Sequence, residues 1–512
     1  MPSLLATIRR RCWSWLALGV CLVLFALRSA QIQESLPYPR HVDERHLAQH
    51  AADMLETGDL NPHFFNYPSL PIYATAMGMS WGALRDFIRQ DSPRKFETGR
   101  VREPYYTRPG VMAAARQTAL AMGLFGLFST GVAAAAWSKR SVSRFLAPAI
   151  LALSPLYGFH CWEYLNVDLF AATFSVATLA WLARSFHSRG FIAKALVPGL
   201  LAAATTASKY NAGLVLPACM LSIFWFEARE QRWVREGQLL VVFILGFVAF
   251  CPFSVLDTPN FVRDVAHEVH HYSTGHANPT FTIAPGSAHL TRNLGLLIHE
   301  FDWLLCALGA LGLASGMRRD WRRTSVLAFT PLATLAFMSA QRVHFVRNLL
   351  PVVAILPLFI SLGLLEATDR LRRAASRYLS PRLASGFAVA IFAAAMAFSF
   401  RGAWKQYAIR SDSRNLALEW LSRNAPADAR IVVDQSLAMD LSASSSRWRV
   451  RTGKMSQAFS AHDAKAGRRF VVVGTNAPLP APLREIQPQF RAGSGKGSRP
   501  LVNPRLAVYE LR

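Results

Sequence analysis

Apolar residues in this chain gather in runs too long and unbroken for the faces of soluble helices. The first covers 13–30. Ten more lie near 112–137, 145–159, 169–183, 195–208, 211–226, 238–252, 293–315, 325–340, 349–366 and 384–400. A perpendicular helical span needs roughly 20 residues, so the longer runs read as transmembrane helices and the shorter ones as short spans. The runs at 195–208 and 211–226 meet at Lys209-Tyr210-Asn211. This reads as a polar turn, because one continuous helix would carry a lysine through the membrane. Arg9, Arg10 and Arg11 precede the first run, whose length marks it as an uncleaved anchor in preference to a cleaved leader.

The loops between runs test the topology. With the N-terminus inside, every second loop should be basic. Lys139, Arg140 and Arg144 fill one such loop; Arg184, Arg189 and Lys194 the next; Arg229, Arg232 and Arg235 the third. Arg318, Arg319, Arg322 and Arg323 follow, and then Arg370, Arg372, Arg373, Arg377 and Arg382. The alternation predicts about eleven spans with the C-terminus outside. Residues 69–88 are amphipathic and bounded by Pro68 and Pro71. A span there would invert every later loop, so they read as a helix lying in the interface. Long outer segments remain at 31–111, at 253–291 and from 401 onward. In the last, 412–424 is helix-like, 430–433, 470–473 and 506–509 are short β-type runs, and a Gly/Ser/Pro-rich break covers 493–500. The expected architecture is an all-α polytopic membrane module over 1–400 and a small extracytoplasmic α/β domain over 401–512.

Composition agrees. Hydrophobic residues make up 52% and charged residues 17%, where soluble proteins have roughly 45–50% and about 25%. A net charge of +25 would suit nucleic acid, but the charges sit in clusters between apolar runs with no basic stripe interleaved with aromatics, so no nucleic-acid partner is expected. The tail carries 19 Lys+Arg against 8 Asp+Glu, an excess suited to anionic headgroups or an anionic acceptor. Six cysteines, none in a CxxC pair, read as small buried hydrophobes.

The candidate chemistry lies in the outer loops. Asp43-Glu44 follows the first run, with 46–57 as a helix behind it, and then comes Asn66-Tyr67-Pro68-Ser69-Leu70-Pro71. Further down stand Tyr164-Leu165-Asn166-Val167-Asp168, Thr206-Ala207-Ser208-Lys209-Tyr210-Asn211, Tyr272-Ser273-Thr274-Gly275-His276, and Gln341-Arg342-Val343-His344-Phe345-Val346-Arg347 with Pro351. In this order, across roughly 40–400, the chain resembles the C-type glycosyltransferases of the protein O-mannosyltransferase superfamily, especially the bacterial branch that includes aminoarabinose transferases.

That resemblance implies a C-type transmembrane fold in a bacterial inner membrane, N-terminus cytoplasmic and C-terminus periplasmic. It implies a hexosyl- or pentosyltransferase that takes its sugar from a polyprenyl-phosphate donor and passes it to a hydroxyl of a protein, lipid or polysaccharide. A carboxylate near the acceptor would serve as general base, and cations aimed at the phosphate would stabilise the leaving charge. Asp43 is the expected base, with Glu44 and Asp168 as orienting acids. Lys209, Arg342 and Arg347 are the expected phosphate partners, and Tyr67, Tyr210, Asn211 and His276 the substrate loops. Blander roles compete: Asp168 as a helix cap, Arg342 at the interface, and Phe64, Phe65 and Tyr67 as loop anchors in place of sugar-stacking rings.

Two other functions are weighed. A transporter or flippase of lipid-linked sugars would be built from paired inverted halves with broken helices, which the sequence does not display. His267-Glu268-Val269-His270-His271 matches H-E-x-x-H, the zinc motif of membrane metalloproteases. Its extended form needs Gly at 274 and His at 277, where Thr274 and Ala277 stand. A divalent ion held by His267 and His271 is the one cofactor left open.

Overall fold

The computed structural model describes 38–89, 109–162, 164–399 and 412–437, isolated positions between 16 and 36, and 439, 441, 447–453, 469–474, 487–492 and 505–511. Most of the run at 13–30, and the break at 493–500, lie outside the described residues.

The helices are α1 (Val42–Thr57), α2 (Leu70–Arg89), α3 (Pro109–Ser138), α4 (Ser143–Leu153), α5 (Pro155–Trp162), α6 (Val167–Ser185), α7 (Val197–Thr206), α8 (Leu216–Phe226), α9 (Arg232–Phe250), α10 (Phe253–Leu256), α11 (Thr258–Thr274), α12 (Ser287–Arg319), α13 (Trp321–Ser339), α14 (Leu350–Ala375), α15 (Pro381–Ser399) and α16 (Ser413–Asn424). Among the described residues, five helical stretches are long and apolar enough to cross a bilayer: Gly110–Ser138, Val167–Ser185, Arg229–Phe250, Ser287–Arg319 and Val346–Ala375. Ser143–Leu153, Ile192–Thr206 and Tyr210–Phe226 are apolar but shorter.

Local chemistry sets the helix ends that matter. The acidic pair does not precede its helix, as the sequence suggested, but occupies the helix's first turn. His41 caps α1 by accepting from the Asp43 amide, and two carboxylates there complement the positive end of the helix dipole. Gly58, at φ 75°, turns the chain out of α1 in the left-handed region, which glycine enters without a Cβ penalty. Asn166 caps α6 through the Leu169 amide, leaving Asp168 in its first turn. The run at 145–159 is broken at Ser154, where Pro155 cannot donate the next helical bond.

In the bundle α12 packs along α14, and α3 lies between α2 and α6. The α12–α14 contact is backbone on backbone: a methyl at Gly312 would sit 1.9 Å from the Phe359 carbonyl oxygen, and one at Gly363 1.8 Å from that of Leu308. Close approach through small residues is how helices associate where lipid removes the hydrophobic drive. By contrast α9 buries only Leu239 and Gly246, with Val241, Ile244 and Leu245 on its open face.

Polar clusters stand at two levels along α14. At the first, in the turn just before it, stands Arg347. At the other, Glu366 pairs with Arg319 and Arg140, and Arg140 also reaches Asp369 at 2.7 Å. The rise of a helix puts Arg347 and Glu366 roughly 28 Å apart, close to the hydrocarbon thickness of a bilayer.

The tail forms a five-stranded sheet of β1 (Arg430–Asp434), β2 (Arg449–Gly453), β3 (Arg469–Gly474), β4 (Phe490–Ala492) and β5 (Leu506–Leu511), in the order β2-β1-β3-β5-β4. β1 runs parallel to β2 and β3, with Ile431 opposite both Val450 and Phe470; β5 is antiparallel to β3 and β4. Its core joins Leu421 of α16 to Ile431, Phe470 and Val508, and takes in Tyr38 from far up the chain.

Candidate functional site

The first turns of α1 and α6, the turn after α7 and the lead into α14 bring four charged side chains together at one end of the bundle. Arg347 donates to Asp43 at 2.9 Å and contacts Asp168 at 3.3 Å. Lys209 pairs with the other Asp168 oxygen. The result is an alternating chain, Asp43–Arg347–Asp168–Lys209, with two positive and two negative charges. Lys209 also donates to Asn348 at 2.6 Å, whose oxygen accepts from Tyr272 at 3.2 Å. The Asn348 amide nitrogen is buried without a hydrogen-bond partner.

Burial opposes ionisation of Asp43, but the Arg347 guanidinium, helped by His41, Lys209 and His46, outweighs it and holds the carboxyl below the usual range. Burial pushes the His41 imidazole down against the pull of Asp43, and the ring stacks on Tyr164 at 4.6 Å. Behind Arg347 lies an aromatic layer. Its guanidinium sits 4.3 Å from the Phe345 ring centre, and Phe345 packs against His276 at 5.5 Å.

Beside this chain opens a cavity of about 580 Å³. Tyr67, Lys209, Tyr272, Tyr210 and Asn211 form part of its wall, and Leu214, Pro217, Val265, Val269 and Phe337 line its apolar side. The Tyr210 hydroxyl donates to the Phe65 carbonyl at 2.9 Å. Asn211 faces the Met338 sulfur at 3.2 Å. Burial raises the Tyr67 phenol well above its ordinary pKa, so it is a hydrogen-bond donor at neutral pH.

Not every candidate joins the cluster. Glu44 is fully buried, taking a bidentate grip from Arg116 at 2.7 and 2.9 Å and amide bonds from Arg40 and Leu165. Arg342 is exposed, and its backbone amide donates to the Tyr272 carbonyl. His267 is exposed, Glu268 accepts from Asn66 at 2.9 Å, and His271 packs against His276. Among the described residues no three His, Cys, Asp or Glu side chains gather as metal ligands would. Sequence reasoning missed His41, Arg116 and Asn348. For Arg116 a signal existed, a lone charge inside an apolar run; for the other two there was none.

The described architecture is a C-type glycosyltransferase-like membrane fold. ArnT from Cupriavidus metallidurans superimposes in its apo state with a TM-score of 0.52 at 15% identity, over 98% of each chain. The same protein bound to undecaprenyl phosphate gives 0.54 at 15%, over 97% of this chain and 98% of that one. The Archaeoglobus fulgidus oligosaccharyltransferase in the apo form gives 0.52 at 11%, covering 90% of this chain and 69% of that one. No protein-family profile and no curated protein sequence matches the chain.

Proposed function

We propose that this protein transfers a sugar from a polyprenyl-phosphate donor to an acceptor hydroxyl at the outer face of the inner membrane. The observation that carries this reading is the alternating chain Asp43–Arg347–Asp168–Lys209 beside a largely apolar cavity. A phosphate on a lipid tail needs cations at the bilayer surface and apolar space below them. ArnT, which shares the fold, was crystallised with undecaprenyl phosphate.

In the reaction the acceptor oxygen bonds to the anomeric carbon as that carbon's bond to the phosphate oxygen breaks. The acceptor proton passes to the Asp43 carboxylate. The polyprenyl phosphate leaves with the electron pair, its charge met by Arg347 and Lys209. Asp168 holds both cations in place between turnovers. Arg347 is the principal phosphate ligand, because a planar guanidinium grips two oxygens where lysine acts as a point charge.

The test is transfer in reconstituted vesicles with purified donor, titrating donor and acceptor separately. Arg347→Ala should raise the donor requirement steeply and leave the acceptor requirement alone, with Arg347→Lys recovering part. Unchanged donor dependence in Arg347→Ala would remove the phosphate role.

A further inference from the structure

The residues 38–41 that enter α1 form neither helix nor strand, yet they and the described positions just before them are gripped from two sides. From the bundle, Arg116 donates to the carbonyls of Ile32 at 3.1 Å and Tyr38 at 3.0 Å. From the tail, Asn415 donates to the Leu36 carbonyl at 3.3 Å, and Arg414 to those of Pro39 at 3.0 Å and Leu437 at 3.2 Å. Arg414 is fully buried and held by both Asp412 oxygens at 2.9 Å. The Tyr38 ring lies 5.0 Å from its guanidinium carbon, inside the core of the α/β unit. Four residues past Pro39 comes Asp43.

We infer that the C-terminal α/β unit sets the position of the acidic pair, with Arg414 a positioning residue that fixes the lead 36–41 and through it Asp43. The inference rests on the transferase reading for its consequence, not for its geometry. A domain that only displayed itself outside the membrane would have no use for a buried arginine aimed at the backbone of another module. Leaving Asp412 and two carbonyls unmatched in the interior is costly, so the three-way contact behaves as one unit. The lead reaches Asp43 through His41, whose ring caps α1. Freed of its anchor, it lets α1 shift and draws Asp43 off Arg347. Displacements of about 1 Å at a reacting group can cost roughly 10²-fold in rate.

The experiment uses the full chain in vesicles with Arg414→Ala, Arg414→Lys, Tyr38→Ala and Asp43→Asn. Tyr38→Ala removes the ring that seats the lead in the α/β core but keeps both partners of the buried Arg414–Asp412 pair, so it stands in should Arg414→Ala fail to fold. Turnover at saturating donor is followed against pH, and hydrogen exchange is followed over 36–50. The groups facing the Asp43 carboxylate are Arg347, His41, Lys209 and His46. Losing contact with Arg347 returns Asp43 toward an ordinary carboxylate, so the acid limb of turnover should move to higher pH. Turnover should fall ~10- to 100-fold with the donor KM within about twofold, exchange over 36–50 should quicken, and Arg414→Lys should recover part. A merely structural role lowers the amount of active protein and moves neither the limb nor local exchange; that result overturns the inference, as does wild-type turnover in the variant that folds. If the wild-type protein transfers no sugar, the transferase reading has failed, and if Asp43→Asn transfers it normally, Asp43 is not the base; in either case exchange over 36–50 alone decides whether Arg414 and Tyr38 hold the lead.

Discussion

Asp43 and Glu44 are neighbours in one helical turn, and both face arginine, yet their surroundings differ. Glu44 is enclosed: Arg116 grips it with two nitrogens, and two backbone amides complete its shell. Asp43 shares Arg347 with Asp168, and Asp168 in turn shares Lys209. In the first pair every acceptor is matched. In the second the charges balance only as a chain, and a buried Asn348 nitrogen beside it stays unmatched. A closed pair stabilises a fold, whereas a chain of shared partners can exchange one member for a substrate. The proposed chemistry belongs to the second.

The sharpest break of that comparison is the pair of isosteric variants. Asp43→Asn should cut transfer by about 10²–10⁴-fold, the usual contribution of a general base, and lower the thermal unfolding midpoint in detergent by less than Glu44→Gln does, because Asp168 still meets Arg347. Glu44→Gln should do the reverse, because Arg116 would be left buried without a counter-charge, a loss of about 3–5 kcal/mol for broken buried pairs. A stable, active Glu44→Gln beside an unfolded Asp43→Asn would invert the roles. Next comes Asp168→Asn, which leaves two cations to one carboxylate. Turnover should fall ~10-fold or more, while free polyprenyl phosphate should inhibit more tightly, read from inhibition curves; weaker inhibition would count against Lys209 and Arg347 as its ligands.

A smaller effect concerns pH. Arg347 holds Asp43 below the normal carboxylate range, so the folded state binds this proton less readily than the unfolded chain. Its contribution to stability is therefore complete above the unfolded pKa, near 4, and is lost as pH falls through the lower folded value. Transfer should stay level from neutrality to about pH 5, and a limb inside that window would assign the base to another group. Smallest is Arg342→Ala. An exposed side chain outside the chain of pairs should change the donor requirement by less than about threefold, and a larger change would bring Arg342 into the site.

Much of the bundle was legible because apolar runs report helices directly: 112–137 is seen as α3, and 195–208 and 211–226 meet at Lys209 as two helices. Asp168, Lys209 and Arg347 were each visible as polar residues at the edge of a run, and Asp43 as half of an acidic pair in the outer segment after the first run. What could not be read was which acid pairs with which base. Arg116 lies 72 positions from Glu44, and spacing says nothing at that range. The same holds for Tyr38, which no local pattern ties to Leu421 or Val508. Strand β2 escaped because Arg449, Arg451 and Thr452 give it a polar, half-exposed edge in place of an apolar alternation.

The contact between Gly312 and Gly363 has a mechanical side. With no side chain between them, α12 and α14 meet backbone to backbone and cannot slide at this crossing without a clash, so the part of α12 beyond its break at Asp302 and the length of α14 beside it form one stiff piece.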